Sequence, residues 1–183
     1  FRYHRWLHPS QGDWELVFLF TEKYLNSLQK LIPPNSTVLD IGAHTGNMSV
    51  AYSLFASQVL AFEPNPASFE VLEKNSTLHP SIKPIYRACS TETGTQTFHY
   101  SDPALCNGGF ATSLARGIGA TGHTVPLDVF RVDTLRFLEE HYAQTLDNIS
   151  FIKVDAEGHD SSILQNLAPL IKKNRPIILT ELY

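Results

Sequence analysis

Positive charge is scarce in this chain: 14 Lys and Arg stand against 18 Asp and Glu, for a net charge of −4. Without a basic excess there is no electrostatic footprint for nucleic acid, whose binding rests on neutralised phosphates, so no nucleic-acid partner is expected. Cysteine is nearly absent. The two that occur, Cys89 and Cys106, make neither a metal ribbon nor a disulfide framework, which points to a reducing, cytoplasmic compartment. No apolar run approaches the ~18 residues of a membrane span and no charged-then-apolar leader opens the chain, so no membrane partner is expected either. Asn35-Ser-Thr, Asn75-Ser-Thr and Asn148-Ile-Ser match the glycosylation pattern, as short motifs usually do by chance.

What is present is enough for one domain with a full core, at 183 residues and 43% hydrophobic. The organising stretch is Val38-Leu-Asp-Ile-Gly-Ala-His-Thr-Gly46. Its apolar start, ending in Asp40, reads as a buried parallel strand. Residues 42–46 read as a tight turn in which missing side chains let backbone amides approach a ligand, and residues 47–55 as the helix that follows, capped by Thr45. Gly42 and Gly46, with three residues between them and no Lys after, match neither the dinucleotide fingerprint nor the P-loop. A second apolar strand, residues 58–62, delivers Glu63, a carboxylate able to accept from ribose hydroxyls. A ribose site without a phosphate cradle points to S-adenosylmethionine.

Taken in order, residues 1–8 interleave aromatic and basic side chains and read as a terminal lid or a frayed end. An amphipathic helix is expected over residues 13–32, with Val17, Phe20, Tyr24, Leu28 and Leu31 on one face, Asp13 as cap and Pro33-Pro34 as stop. Residues 1–35 are thus a helical cover and residues 36–183 the ligand-binding domain. Asn65 and Pro66 open a helix through about residue 75, and a third strand is expected over residues 82–88. A short strand at 97–100 precedes a glycine-rich stretch, 101–124, which reads either as a mobile insertion or as a lid. Residues 125–132 read as a strand and 133–142 as a helix. The apolar strand at 149–154 carries one charge, Lys153, placed to pair with a carboxylate. It delivers Asp155, Glu157, His159 and Asp160 to the mouth of the sheet, before a helix at 160–173 and a strand at 176–182.

Three blocks, residues 38–46, Ala61-Phe-Glu-Pro-Asn65 and Ile152-Lys-Val-Asp-Ala-Glu-Gly158, resemble the FkbM-type family of S-adenosylmethionine-dependent methyltransferases. The third block is the most specific. The resemblance implies an α/β, three-layer αβα Rossmann-like class I fold with a mostly parallel, doubly wound sheet. Such a sheet adds a C-terminal hairpin that this chain, opening on Phe1 and stopping at Tyr183, does not carry, so it reads as a fragment. For the cofactor the resemblance implies Asp40, Gly42, Ala43, His44, Thr45 and Gly46 around the turn, Glu63 and Pro64 at the ribose, Cys89 and Ser90 at the adenine edge, and Asp155. Two positions depart from the pattern: His44 replaces the usual Asn, with a charge near pH 6.5 that would make binding pH-sensitive, and Cys89 satisfies an adenine amino group less well than Asp or Asn.

Methyl transfer needs alignment of donor and nucleophile and a base for an oxygen acceptor. Asp155, Glu157 and His159 are the candidate catalytic residues, and the expected acceptor is a hydroxyl of a small molecule or sugar. Against this stand the bland readings: Asp155 caps a helix, Glu157 binds backbone, His159 is solvated, and Asp40 only orients the turn. An N-methyltransferase, a catalytically silent nucleoside-binding module and a metal-assisted site built on Asp155, Glu181 and Asp160 remain as alternatives; no metal is expected in the preferred reading.

Overall fold

The computed structural model describes residues 22–102, 107–109 and 125–180. Three short apolar segments form its centre: β1 (Thr37–Ile41), β2 (Gln58–Phe62) and β8 (Ile149–Val154), all buried along nearly their whole length. Strands that read as continuous apolar runs belong in a parallel sheet covered on both faces. With β3 (Ile82–Ile85) and β9 (Ile177–Thr180) they make a five-stranded, all-parallel sheet in the order β3-β2-β1-β8-β9.

The alternation of side chains decides the layers. Leu39, Ile41, Leu60, Phe62, Ile152 and Val154 face one side and pack on Leu138 of α4 (Thr134–Tyr142), Ile163 of α5 (Asp160–Asn166) and Leu170 of α6 (Ala168–Asn174). Val38, Val59, Ala61 and Phe151 face the other side, against Leu28 of α1 (Glu22–Leu31), Val50 and Tyr52 of α2 (Asn47–Tyr52) and Leu72 of α3 (Pro66–Leu78). Helices on both faces of a parallel sheet give the doubly wound, Rossmann-like α/β architecture. The chain leaves β1 for β2 on one side and reaches β8 on the other, so the crevice at the carboxyl ends of β1, β2 and β8 is where a ligand is expected.

A second, four-stranded sheet, ordered β4-β7-β5-β6, is built from β4 (Ala88–Ser90), β5 (Gly94–Asp102), β6 (Asn107–Gly109) and β7 (Val125–Asp133). Here β4 pairs with β7 in parallel, and β5 runs antiparallel to both β7 and β6.

Several elements differ from expectation. The strand expected over residues 82–88 is two strands in two sheets, divided by a turn in which the Arg87 amide donates to the Ile85 carbonyl at 2.9 Å. Pro84 is tolerated because β3 is the sheet's edge, where a missing N–H costs no ladder bond. The helix expected over 160–173 is broken after Asn166, because Pro169 sits in the first turn of α6 and suits a helix start rather than an interior. The short strand at 97–100 is a nine-residue strand, and residues 107–109 of the glycine-rich stretch pair with it. Asp133 caps α4, accepting from the Arg136 amide at 3.1 Å, rather than belonging to it. Residues 1–8, read as a lid or a frayed end, lie outside the described residues, as do Asp13, Val17, Phe20, Cys106, most of the glycine-rich stretch and Glu181.

Candidate active site

The turn after β1 takes its shape from two glycines and one histidine in the left-handed region: Gly42 at φ 74°, His44 at 53° and Gly46 at 85°. A Cβ on Gly42 would lie 1.9 Å from the Asp155 carbonyl oxygen, so only glycine lets β1 and β8 leave the sheet side by side. Thr45 is not the helix cap expected of it. Gly46 occupies that position, and the Thr45 hydroxyl instead donates to Asn47 Oδ1 at 3.2 Å.

Four amides of this turn are committed inwards. Gly42 and Ala43 both donate to the Phe62 carbonyl, at 3.0 and 2.8 Å, Gly46 donates to Ala43 at 2.9 Å, and the His44 amide donates to Glu63 Oε2 at 2.7 Å. The expectation that the amides of Gly42, Ala43, His44 and Gly46 reach for a ligand is therefore corrected: what these positions offer is room.

Glu63 closes β2. Its second oxygen, Oε1, accepts from the Asn65 amide at 2.7 Å, and the residue is 6% exposed. Burial pushes its carboxyl up to about 7, against the pull of these two amides. His44 moves the other way: burial, with the Lys153 charge adding to it, pushes the imidazole down to about 4. The pH sensitivity expected of His44 near 6.5 thus passes to Glu63. Burial lifts the Cys89 thiol to about 12, which makes it a small, unreactive wall residue.

One cleft, with about 610 Å³ of empty space counted out to its open mouth, joins these groups. It brings together Gly42, His44, Glu63, Pro64, Cys89, Asp155 and Glu157 from the expected set. Asp40, Ala43, Thr45, Gly46, Ser90 and His159 are not in its wall. Asp40 is wholly buried and accepts from the Ser49 hydroxyl at 2.6 Å, and Ser90 is tied to Thr134, whose hydroxyl accepts from its amide and donates to its carbonyl. His159 stands at the N-terminus of α5, with burial lowering its pKa. Asp155 does not cap that helix; its carboxylate lies 3.5 Å from Lys153 Nζ and is 36% exposed. Glu157, a wall residue, holds φ 48°, a second left-handed non-glycine in the same cleft as His44. Strain of that kind collects where a side chain must be aimed.

Sequence reasoning missed Phe98, Arg87 and Phe62, and read Asn65 only as a cap. Asn65 does cap α3 through Oδ1, accepting from Ala67 at 2.8 Å and Ser68 at 3.3 Å, but its Nδ2 is buried in the wall without a partner, as is His44 Nε2. Phe98 arrives from the second sheet and had no local signal.

A model of the methyltransferase FkbM domain matches residues 40–183. The chain belongs to the FkbM methyltransferase family. Among curated relatives of this FkbM-family chain, methyltransferase sdnD of Sordaria araneosa is 26% identical over 84% of the chain and 69% of the relative. The hexuronic acid methyltransferase AglP of Haloferax volcanii is 27% identical over 76% of the chain, which spans 53% of that protein's length. A crystal structure of methyltransferase FkbM from Methylobacillus flagellatus shares the fold at 12% identity, with a TM-score of 0.50 over 90% of this chain and 41% of that one. Among the described residues no helix is long and apolar enough to cross a membrane.

Proposed function

We propose that this FkbM-family chain is an S-adenosylmethionine-dependent methyltransferase that methylates a hydroxyl of a small molecule or sugar. The observation that carries the reading is the polarity of the cleft. The amides of Gly42, Ala43, His44 and Gly46 are spent inside the protein, and Glu63, Asp155 and Glu157 line a wall in which, among the described residues, Arg87 is the one lysine or arginine. Three carboxylates against one guanidinium favour a cationic nucleoside over an anionic dinucleotide.

The residues fit such a ligand. Each Glu63 oxygen has spent one lone pair on an amide and keeps another for a ribose hydroxyl. His44 Nε2 and Asn65 Nδ2 are buried polar atoms that lack a partner until a ligand supplies one. Cys89, Phe98 and Phe62 give the apolar surface a purine needs. Asp155, which lines the cleft at the exit of β8, is assigned to the ammonium of the methionine part. When bound, the sulfonium supplies an activated methyl group. The protein then has to align the acceptor oxygen and take its proton, and Glu157 is the wall carboxylate assigned to that task. The hexuronic acid specificity of one relative makes a sugar acceptor the natural first panel.

The test is methyl incorporation, read by mass spectrometry, across a panel of sugars and hydroxylated small molecules. Wild type should transfer methyl to at least one of them, and Glu157→Gln should lose at least a hundredfold in turnover while keeping donor affinity. Unchanged turnover in Glu157→Gln removes it from the proton-accepting role.

A further inference from the structure

Asp40 and Lys153 are each a lone charge in an apolar strand, and the sheet sets them side by side in register. Both belong to the face that α1–α3 cover, and the β2 residue in register with Asp40 is Ala61, whose small side chain leaves them room. Lys153 Nζ sits 3.4 Å from Asp40 Oδ1 and 3.5 Å from Asp155 Oδ2. It donates to the Gly42 carbonyl at 2.6 Å and reaches the Ile41 carbonyl at 3.5 Å. Its side chain is 10% exposed.

A lysine needed only to neutralise a buried aspartate would be satisfied by Asp40. Here its shortest contact is the peptide oxygen at the start of the glycine turn, and its outer contact is the wall carboxylate of the cleft. The same two strand exits are joined a second time by the Asp155 amide, which donates to the Ile41 carbonyl at 3.1 Å. Burial alone would pull an ammonium down, but Asp40 and Asp155 outweigh it and hold Lys153 above its ordinary range, so the cation persists.

We propose that Lys153 is a positioning residue for the methyl-donor site: from beneath the cleft it ties the Gly42 carbonyl, Asp40 and Asp155 into one rigid unit. The assignment rests on the reading of the cleft as an S-adenosylmethionine site. Lys153 does not touch the donor; it fixes the shape of the turn and the direction in which Asp155 presents its charge.

Removing Lys153 alone leaves Asp40 as an uncompensated buried charge, a change that can unfold the protein. The informative variant is therefore D40N/K153M, which removes both buried charges together, compared with D155N and with the triple variant. Three readouts are taken on the whole chain: thermal unfolding, calorimetric titration with S-adenosylmethionine and S-adenosylhomocysteine, and amide hydrogen exchange without ligand. D40N/K153M should stay folded, bind both nucleosides at least tenfold more weakly, and exchange its amides at residues 42–44 at least tenfold faster, with the amides of β1, β2 and β8 unchanged. In the D155N background the same pair of changes should cost much less affinity, because part of the effect passes through Asp155. A folded D40N/K153M protein with wild-type affinity and wild-type exchange at the turn overturns the proposal, as does faster exchange spread evenly over the sheet. If wild type binds neither nucleoside, the donor reading fails, and exchange at the turn alone decides what Lys153 holds.

Discussion

At the scale of single residues, two ionisable groups in the cleft pull stability in opposite directions. Between pH 4.5 and about 7 the folded protein keeps a proton on Glu63 that the unfolded chain has released, so stability falls as pH rises through that window, by at most about 3 kcal/mol. His44 works the other way: the unfolded chain takes up a proton below pH 6.5, the folded imidazole stays neutral to about 4, and stability falls as pH drops between them. Thermal unfolding from pH 4.5 to 7 should therefore show Glu63→Gln gaining on wild type as pH rises, and His44→Asn losing on it. Parallel curves for all three proteins would contradict both assignments. The same proton bears on binding. A ribose prefers ionised Glu63, so S-adenosylmethionine affinity should climb with pH through about 7 and flatten above, a rise that Glu63→Gln abolishes.

The sequence made Glu63 visible because an acidic residue at the carboxyl end of an apolar strand has a clear chemical use at the mouth of a parallel sheet. It gave no sign that the amides of Gly42, Ala43 and His44 would be consumed by Phe62 and Glu63, since that depends on how closely β1 and β2 approach. Thr45 was misread because a threonine before a helix is a common cap, whereas here the left-handed Gly46 takes the position.

At the scale of elements, the glycine turn is clamped from two sides. Leu72 of α3 fills the space beside Gly46, and a Cβ there would meet Leu72 Cδ1 at 2.7 Å, the far end of a flexible side chain. At Gly42 the obstacle is backbone, which cannot yield. Gly42→Ala should thus cost several kcal/mol and abolish donor binding, whereas Gly46→Ala should cost about 1–2 kcal/mol, mostly left-handed strain, and leave a weakened site. Urea unfolding of the two variants checks the order; equal losses would show that Leu72 is as rigid as the Asp155 peptide. Helix α3 is joined to the turn once more through Asn75, whose Nδ2 donates to the Thr45 carbonyl at 2.9 Å. Its N-cap is the other point of hold: Asn65→Ala should destabilise the protein by about 1 kcal/mol and weaken the nucleoside as well, because one side chain serves both cap and wall. A loss of stability with unchanged affinity would return Asn65 to a cap alone.

Which elements were legible follows from where their causes lie. Strands β1, β2 and β8 announce themselves as short apolar runs with an acidic residue near or just past their ends, and Asn65-Pro66 is a local helix start. The split of β3 from β4 depends on which sheet receives residues 88–90 and is not written locally, whereas the break between α5 and α6 is written in Pro169, which suits a helix start.

At the scale of the whole molecule, the parallel order β3-β2-β1-β8-β9 puts the exits of three strands around one crevice, and a side sheet brings Phe98 to its wall. The family match over residues 40–183 agrees with that architecture, although the chain spans only 53% of one curated relative and 41% of the FkbM crystal structure. On the proposed reading this crevice, as it stands, receives a sulfur nucleoside rather than a dinucleotide. Calorimetric titration of the folded protein with S-adenosylmethionine, beside S-adenosylhomocysteine and NAD, tests it directly. Saturable binding of both sulfur nucleosides with no heat from NAD is the expected result; NAD binding, or a folded protein that binds none of the three, would contradict it.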